Sequence, residues 1–233
     1  MLGRILNDTF FFSAPQLKRD PLDGAMPSNF VLLALLTAQA GQDSLLRLPI
    51  RFHLLHSAAS TNISTTRTSA AVDTLVAFAN KIWRQAGIEW VVESVINEDA
   101  PTAPILDSMI SGAEPRTAER LAAFVPRERL LATGWNVFLI RDFGPIAGGM
   151  FQPELLAAVL AERGFGYELP ADGRGGGTLA HELGHSLGLP HEKCDETRNI
   201  MANACSRPGV LSSLNATQVV AARRQAASGR PTH

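Results

Sequence analysis

The chain has 233 residues, 45% of them hydrophobic, with 19 glycines and 14 prolines, which suits one globular domain with a substantial core and requires no second one. A formal charge of -1 without any dense Lys/Arg block argues against nucleic acid and against an electrostatically held membrane surface. A monomer is the expectation.

Phe30 to Ala40 is the longest apolar run, shorter than the roughly 20 residues of a transmembrane helix. It ends in Ala38-Gln39-Ala40 ahead of Gly41, an A-x-A cleavage pattern. The run reads as a secretory signal cut after Ala40, so residues 1–40 form a signal region and the remainder is exported, secreted or periplasmic. The alternative is a buried core helix, because the run begins late, after Lys18 and Arg19. A start at Met26 gives a signal of ordinary length that lacks a basic n-region.

Leu48 to Leu55 reads as a strand with Pro49 near its start. The odd separation of His53 and His56 sends them to opposite faces, so both are expected to be structural or exposed rather than metal ligands. Ser57 to Thr68 is a polar loop containing the sequon Asn62-Ile63-Ser64. From Ser69 to Ala86 the apolar positions Val72, Leu75, Val76, Ala79, Ile82, Trp83 and Ala86 follow helical spacing, and Gly87 is a natural stop. Ile88 to Ile96 alternates as a second strand. A strand, helix, strand succession implies a right-handed crossover and parallel pairing.

Asn97 to Pro126 holds four prolines and reads as loop, with a short helix around Thr117 to Phe124. Trp135 to Ile140 is a compact apolar run expected to be a central strand. Ile146 to Phe151, after a turn at Gly144-Pro145, is either an edge strand approached closely by another backbone or a plain glycine loop. Leu155 to Glu162 has a helix-favouring composition. Gly164 to Gly177, ending in Gly175-Gly176-Gly177, reads as a flexible entry loop, and it lacks the GxxxxGK[ST] pattern of a nucleotide site.

Thr178 to His191 organises the rest. On a helix, His181 and His185 lie one turn apart on one face and can share a metal ion. Glu182 points about 100° away from His181, poorly placed as a ligand but able to reach a water on the metal as general base. Leu179, Leu183 and Leu187 form an apolar row on the opposite face. Gly188 can end the helix in the left-handed conformation, Pro190 prevents it from resuming, and the chain turns back to offer His191. Three neutral imidazoles with a fourth position left for water is a catalytic rather than a structural zinc arrangement, suited to peptide hydrolysis with one zinc ion as cofactor. A bare HExxH also occurs as chance histidines on a surface helix, but here half of the six histidines fall in eleven residues as HExxHxxGxxH.

In that extended form the stretch resembles the zinc signature of the metzincin metallopeptidases. The resemblance implies His181, His185 and His191 as ligands, Glu182 as base, and Asn199-Ile200-Met201 as the methionine turn, with Met201 beneath the ligands and not bound to the metal. It implies an α+β zincin fold: a twisted mixed sheet of about five strands, a long helix and an active-site helix within residues 41–190, and a small C-terminal subdomain with one helix, 191–233. It also places a last strand at Leu155 to Glu162, makes Ile146 to Phe151 the cleft border that pairs with an extended protein or peptide substrate, and makes Ser206 to Ser213 the wall of a specificity pocket. Glu192 is similar to the astacin pattern, yet Asn203 stands where astacins carry tyrosine and the sole tyrosine, Tyr167, lies upstream, so a matrixin-like or reprolysin-like arrangement fits better. No cysteine precedes the zinc helix to serve as a matrixin-type switch.

Cys194 and Cys205 flank Met201. They form either a disulfide pinning the methionine loop, as suits an exported protein, or a pair of free buried thiols; three histidines leave little need for Cys194 on the zinc. Leu214 to Val219 announces a helix, with Asn215 as cap, Gln218 returning the bond and Leu214 packing on Val219. The tail from Ser228 is expected to fray. The reading is a secreted zinc endopeptidase, held against two alternatives: a zinc hydrolase of a non-protein amide, and a non-catalytic secreted zinc-binding module, which would have no need of Glu182.

Overall fold

Four parallel strands set the architecture, the central ones continuously buried and the outer ones alternating in part. In the computed structural model, which describes residues 44–100, 127–145, 147–153, 155–164, 167–193, 198–202 and 212–232, six strands and three α-helices are present among the described residues. They are β1 (Leu46–His56), α1 (Ser69–Trp83), β2 (Ile88–Asp99), β3 (Trp135–Asp142), β4 (Gly149–Gln152), β5 (Ala157–Gly164), β6 (Tyr167–Glu168), α2 (Arg174–Ser186) and α3 (Ala216–Ala226). The sheet runs β2-β1-β3-β5-β4, with β6 added to β5. The first four strands of that path are parallel and β4 and β6 are antiparallel to β5, so the chain is α+β with a mixed sheet. The parallel pairing of the first two strands, the central place of β3 and a strand rather than a helix near Leu155 to Glu162 agree with expectation.

Both faces of the sheet are covered at β3 and β5, which is why these two strands read as continuous apolar runs. Trp135, Val137 and Leu139 of β3 and Ala158 and Leu160 of β5 share a core with α1 and α2, while Phe138, Ile140, Val159 and Ala161 enter a second cluster with Leu55, Ile63 and Phe143. Helix α1 starts at Thr68, whose side chain accepts from the Ala71 N–H, and buries Val72, Leu75, Val76, Ala79, Ile82 and Trp83. Each large side chain so buried contributes roughly 1.5–3 kcal/mol before conformational entropy is charged against it. A 3-10 turn, Arg84–Ala86, and left-handed Gly87 at φ 61° end it.

His53 is fully buried, between Glu98 at 3.0 Å and Asn136 at 3.2 Å, and His56 meets Asn97 at 3.1 Å; neither belongs to the cluster of His181, His185 and His191. The loop before α1 is fastened by Glu162 of β5, whose carboxylate accepts from Thr65 and Thr66 and, at 3.0 Å, from the Arg67 N–H, and pairs with Arg141.

Two expectations fail. Gly175, Gly176 and Gly177 lie inside the first turns of α2 rather than in a flexible loop, and β6 precedes them. Tertiary packing overrides glycine's poor helix propensity: a Cβ on Gly176 would stand 2.6 Å from Phe78 of α1, and one on Gly175 would stand 2.7 Å from the Leu169 carbonyl oxygen. The tail does not fray either. Thr232 N–H donates to the Ser186 carbonyl at 2.8 Å and Pro231 is buried, so the chain end closes over the end of α2. The apolar run Phe30 to Ala40, the helix at Thr117 to Phe124, Asn203, the pair Cys194 and Cys205 and the greater part of Ser206 to Ser213 lie outside the described residues. Among the described residues, no helix is long and apolar enough to cross a membrane.

Candidate metal centre

Helix α2 presents the two faces its spacing dictates. Leu179, Leu183 and Leu187 are buried in the core, and the Trp83 indole N–H donates to the Ala180 carbonyl at 3.2 Å, docking α2 on α1. His181 and His185 rise from the other face, half-buried, with His191 exposed beside them. The helix ends in a Schellman motif: Gly188 N–H donates to His185 O at 2.9 Å and Leu189 N–H to Gly184 O at 3.0 Å, with Gly188 left-handed at φ 79°. That turn reverses the chain and returns His191. The backbone of Glu192 then donates to Met201 O at 2.8 Å, so the residue after the third histidine acts through its main chain, tying His191 to the methionine turn.

The three Nε2 atoms form a triangle with sides of 3.1, 3.0 and 3.2 Å. His181 Nδ1 lies 2.7 Å from Ile200 O and His185 Nδ1 lies 2.9 Å from Leu189 O. A carbonyl oxygen only accepts, so both Nδ1 atoms carry the proton and both Nε2 atoms present lone pairs. Two lone pairs facing each other at 3.1 Å repel and cannot bond to one another. A cation between them removes the conflict, and the residues fit one: with bonds of about 2.0–2.1 Å, nitrogens at these separations subtend roughly 100° at a common ion, close to the tetrahedral set with one side open.

Burial pushes His181 down to about 4, against the bond to Ile200 O and with the neighbouring imidazoles His185 and His191 adding to the fall. Burial likewise lowers His185. Both rings are neutral, as ligands must be.

Met201 is fully buried. A Cβ on Gly184, between the two helical histidines, would stand 2.2 Å from Met201 Sδ, so the thioether lies against bare helix backbone. Glu182 is buried as well, and desolvation pushes its carboxyl up to about 8, with the Phe151 backbone N–H on β4 drawing it partly back. Edge strand β4 therefore borders the site. Gly148 and Gly149 differ: the backbone of Gly164 approaches Gly148 closely, as expected, since a Cβ on Gly164 would lie 2.7 Å from Gly148 Cα, whereas Gly149 is approached by α2, where its Cβ would lie 2.8 Å from Thr178 Cγ2 and 2.9 Å from Glu182 Cγ.

The geometry thus brings His181, His185 and His191 together, keeps Glu182 buried directly after His181 on α2, packs Met201 against Gly184 and sets Gly188 at the reversal. Reasoning from sequence missed Gly184, the Phe151 N–H and a buried amide pair, Asn199 with Gln218, below the methionine turn. Gly184 had a signal in its place between two ligands; the amide pair joins residues 19 apart and had none.

No family model matches the chain, and no curated protein matches it. One solved structure, "Structure of a chaperone-substrate complex", is similar over 78% of this chain at 15% identity with a TM-score of 0.47, a likeness too slight to carry an argument. This chain spans 34% of that one, about a third of its length.

Proposed function

We propose that the chain is an exported, zinc-dependent endopeptidase of the metzincin type. The observation that carries the proposal is the triangle of Nε2 atoms at 3.0–3.2 Å, with two ring tautomers set by carbonyls that leave lone pairs converging on one point. His181, His185 and His191 would hold the ion, and nitrogen donors with one open side suit zinc in a catalytic rather than a closed site. When bound, zinc supplies Lewis-acid polarisation of a carbonyl and an acidified water near neutral pH.

Glu182 is the proton carrier in this reading. Its carboxyl, pushed up to about 8 by burial, would be favoured as the carboxylate beside a bound dication, because an opposite charge favours the ionised form. The carboxylate takes a proton from the water that adds to the scissile carbonyl and passes it to the departing amine as the C–N bond breaks, so one water is consumed. The Phe151 N–H fixes the carboxyl, and β4 offers a sheet edge beside which a peptide can lie extended. Met201 acts by packing against α2 at Gly184, between the two helical histidines, and takes no part in proton transfer.

Chelator-sensitive cleavage of casein or a peptide library, restored by zinc, is the expected result. Glu182→Gln at equal zinc occupancy should lose it; equal activity in both proteins would overturn the mechanism. Hydrolysis confined to a small amide would favour the non-protein substrate instead. Export is tested apart, by N-terminal sequencing of the mature protein, which should begin at Gly41.

A further inference from the structure

The carbonyl that orients His181 belongs to a peptide unit held at both ends. Ile200 O accepts from His181 Nδ1 at 2.7 Å, and the N–H of that same planar unit, on Met201, donates to Asn199 Oδ1 at 2.9 Å. Asn199 is buried, and its amide is paired head to tail with Gln218 of α3: Asn199 Nδ2 donates to Gln218 Oε1 at 2.8 Å and Gln218 Nε2 donates to Asn199 Oδ1 at 3.1 Å. Gln218 is the third residue of the capping box of α3, and its Oε1 also accepts the Asn215 N–H at 2.9 Å.

The bonds run in one sense. Asn215 N–H requires an acceptor and so fixes which end of the Gln218 amide is oxygen. Gln218 fixes Asn199 in turn, which leaves Asn199 Oδ1 facing Met201 N–H. Turning either amide over would set donor against donor at a buried position, an arrangement that costs the desolvation of both groups. The start of α3 is thereby linked through four hydrogen bonds to the ring of a metal ligand.

Resting on the metal-site reading above, we propose that Asn199 and Gln218 are positioning residues, which set the tautomer and tilt of His181 through the Ile200–Met201 peptide and so tune metal affinity from the C-terminal helix. Amides are required at both positions, since each must donate and accept toward the other. A glutamate at position 218 still accepts from Asn215 N–H, as capping boxes favour, but presents an oxygen to Asn199 Oδ1 where a donor stood.

The test compares Gln218→Glu and Asn199→Ala with Asn215→Ala, which removes the side-chain cap of α3 and leaves the amide pair intact. Zinc affinity is read by competition with a chromophoric chelator, and the His181 ring nitrogens are read by 15N NMR in the metal-free protein. Gln218→Glu and Asn199→Ala should weaken zinc binding about tenfold, as loss of an outer partner of a ligand does, and should shift the ring from the Nδ1–H form toward a mixture. Asn215→Ala should lower the melting temperature and leave both readings at wild type. If Asn199→Ala does not fold, Gln218→Met keeps the helix and the volume and gives the same readings. Wild-type affinity and ring signals in Gln218→Glu, or equal weakening in Asn215→Ala, would overturn the assignment while leaving the metal site standing. A wild-type protein that takes up no zinc would remove both.

Discussion

Glu162 and Glu182 are each 6% exposed, and the protein treats them in opposite ways. Burial pushes Glu162 up, but hydrogen bonds from Thr65, Thr66 and Arg141 outweigh it and hold its carboxyl below the ordinary range. Burial pushes Glu182 up to about 8, with the Phe151 N–H as the opposing contact. Removal from water costs both the same kind of energy; what differs is how far donors replace the water. Where replacement is complete, the carboxylate is an anchor that joins the loop before α1 to β5. Where it is left incomplete, the carboxyl stays closer to its protonated form, and it belongs to the residue that follows His181 on α2.

Substituting each carboxylate separates the two roles. Glu182→Gln should lower hydrolysis about 10²–10⁴-fold, the usual worth of a general base, with zinc affinity and melting temperature near wild type, read by steady-state cleavage and thermal unfolding. Glu162→Gln should reverse that pattern: zinc affinity unchanged, stability down by roughly 2–4 kcal/mol in denaturant titrations, since donors around a buried carboxylate lose their partner. Its pH dependence has a definite sign. A carboxyl held below its unfolded value contributes stability above about 4.5 that is lost as the pH falls through the folded value. The wild type should therefore show an acid limb that Glu162→Gln flattens.

Gly149→Ala probes the confinement of Glu182, since the new methyl would stand 2.9 Å from its Cγ and 2.8 Å from Thr178 Cγ2. A loss of about 1–3 kcal/mol, as for overpacking, together with reduced turnover, is expected from unfolding and cleavage assays run side by side. Arg141→Met gives the smallest effect, because that guanidinium is one-third exposed and solvent screens its pairing with Glu162. Destabilisation of about 1 kcal/mol or less by denaturant melt would leave the threonine and backbone donors as the main support of Glu162; a loss as large as that of Glu162→Gln would shift that weight to the ion pair.

What could be read in advance followed from period and from local turn chemistry. The i, i+4 spacing of His181 and His185, the Leu179, Leu183 and Leu187 row, the reversal at Gly188 and the capping box at Asn215 all act within a few residues and were legible as such. Glu162 reaches residues nearly a hundred positions away, and Asn199 meets Gln218 across the methionine turn. No local pattern encodes such a partner. The glycines at 175–177 misled for the same reason: their propensity argues for loop, while Phe78 on another helix demands that nothing project from Gly176. The tail misled because its anchor, Ser186 O, is a carbonyl freed at the end of α2 that only the folded chain brings near Thr232.

The chain's three tryptophans form one group: Trp83 meets Trp90 edge-on at 6.4 Å, Trp90 meets Trp135 at 5.2 Å, and the indoles of Trp83 and Trp135 donate to Ala180 and Ser186 of α2. Intrinsic ultraviolet emission therefore originates beneath the helix that carries the imidazoles. The protein holds an optical gauge of its own, and undocking of that helix will register as a red shift without any attached dye.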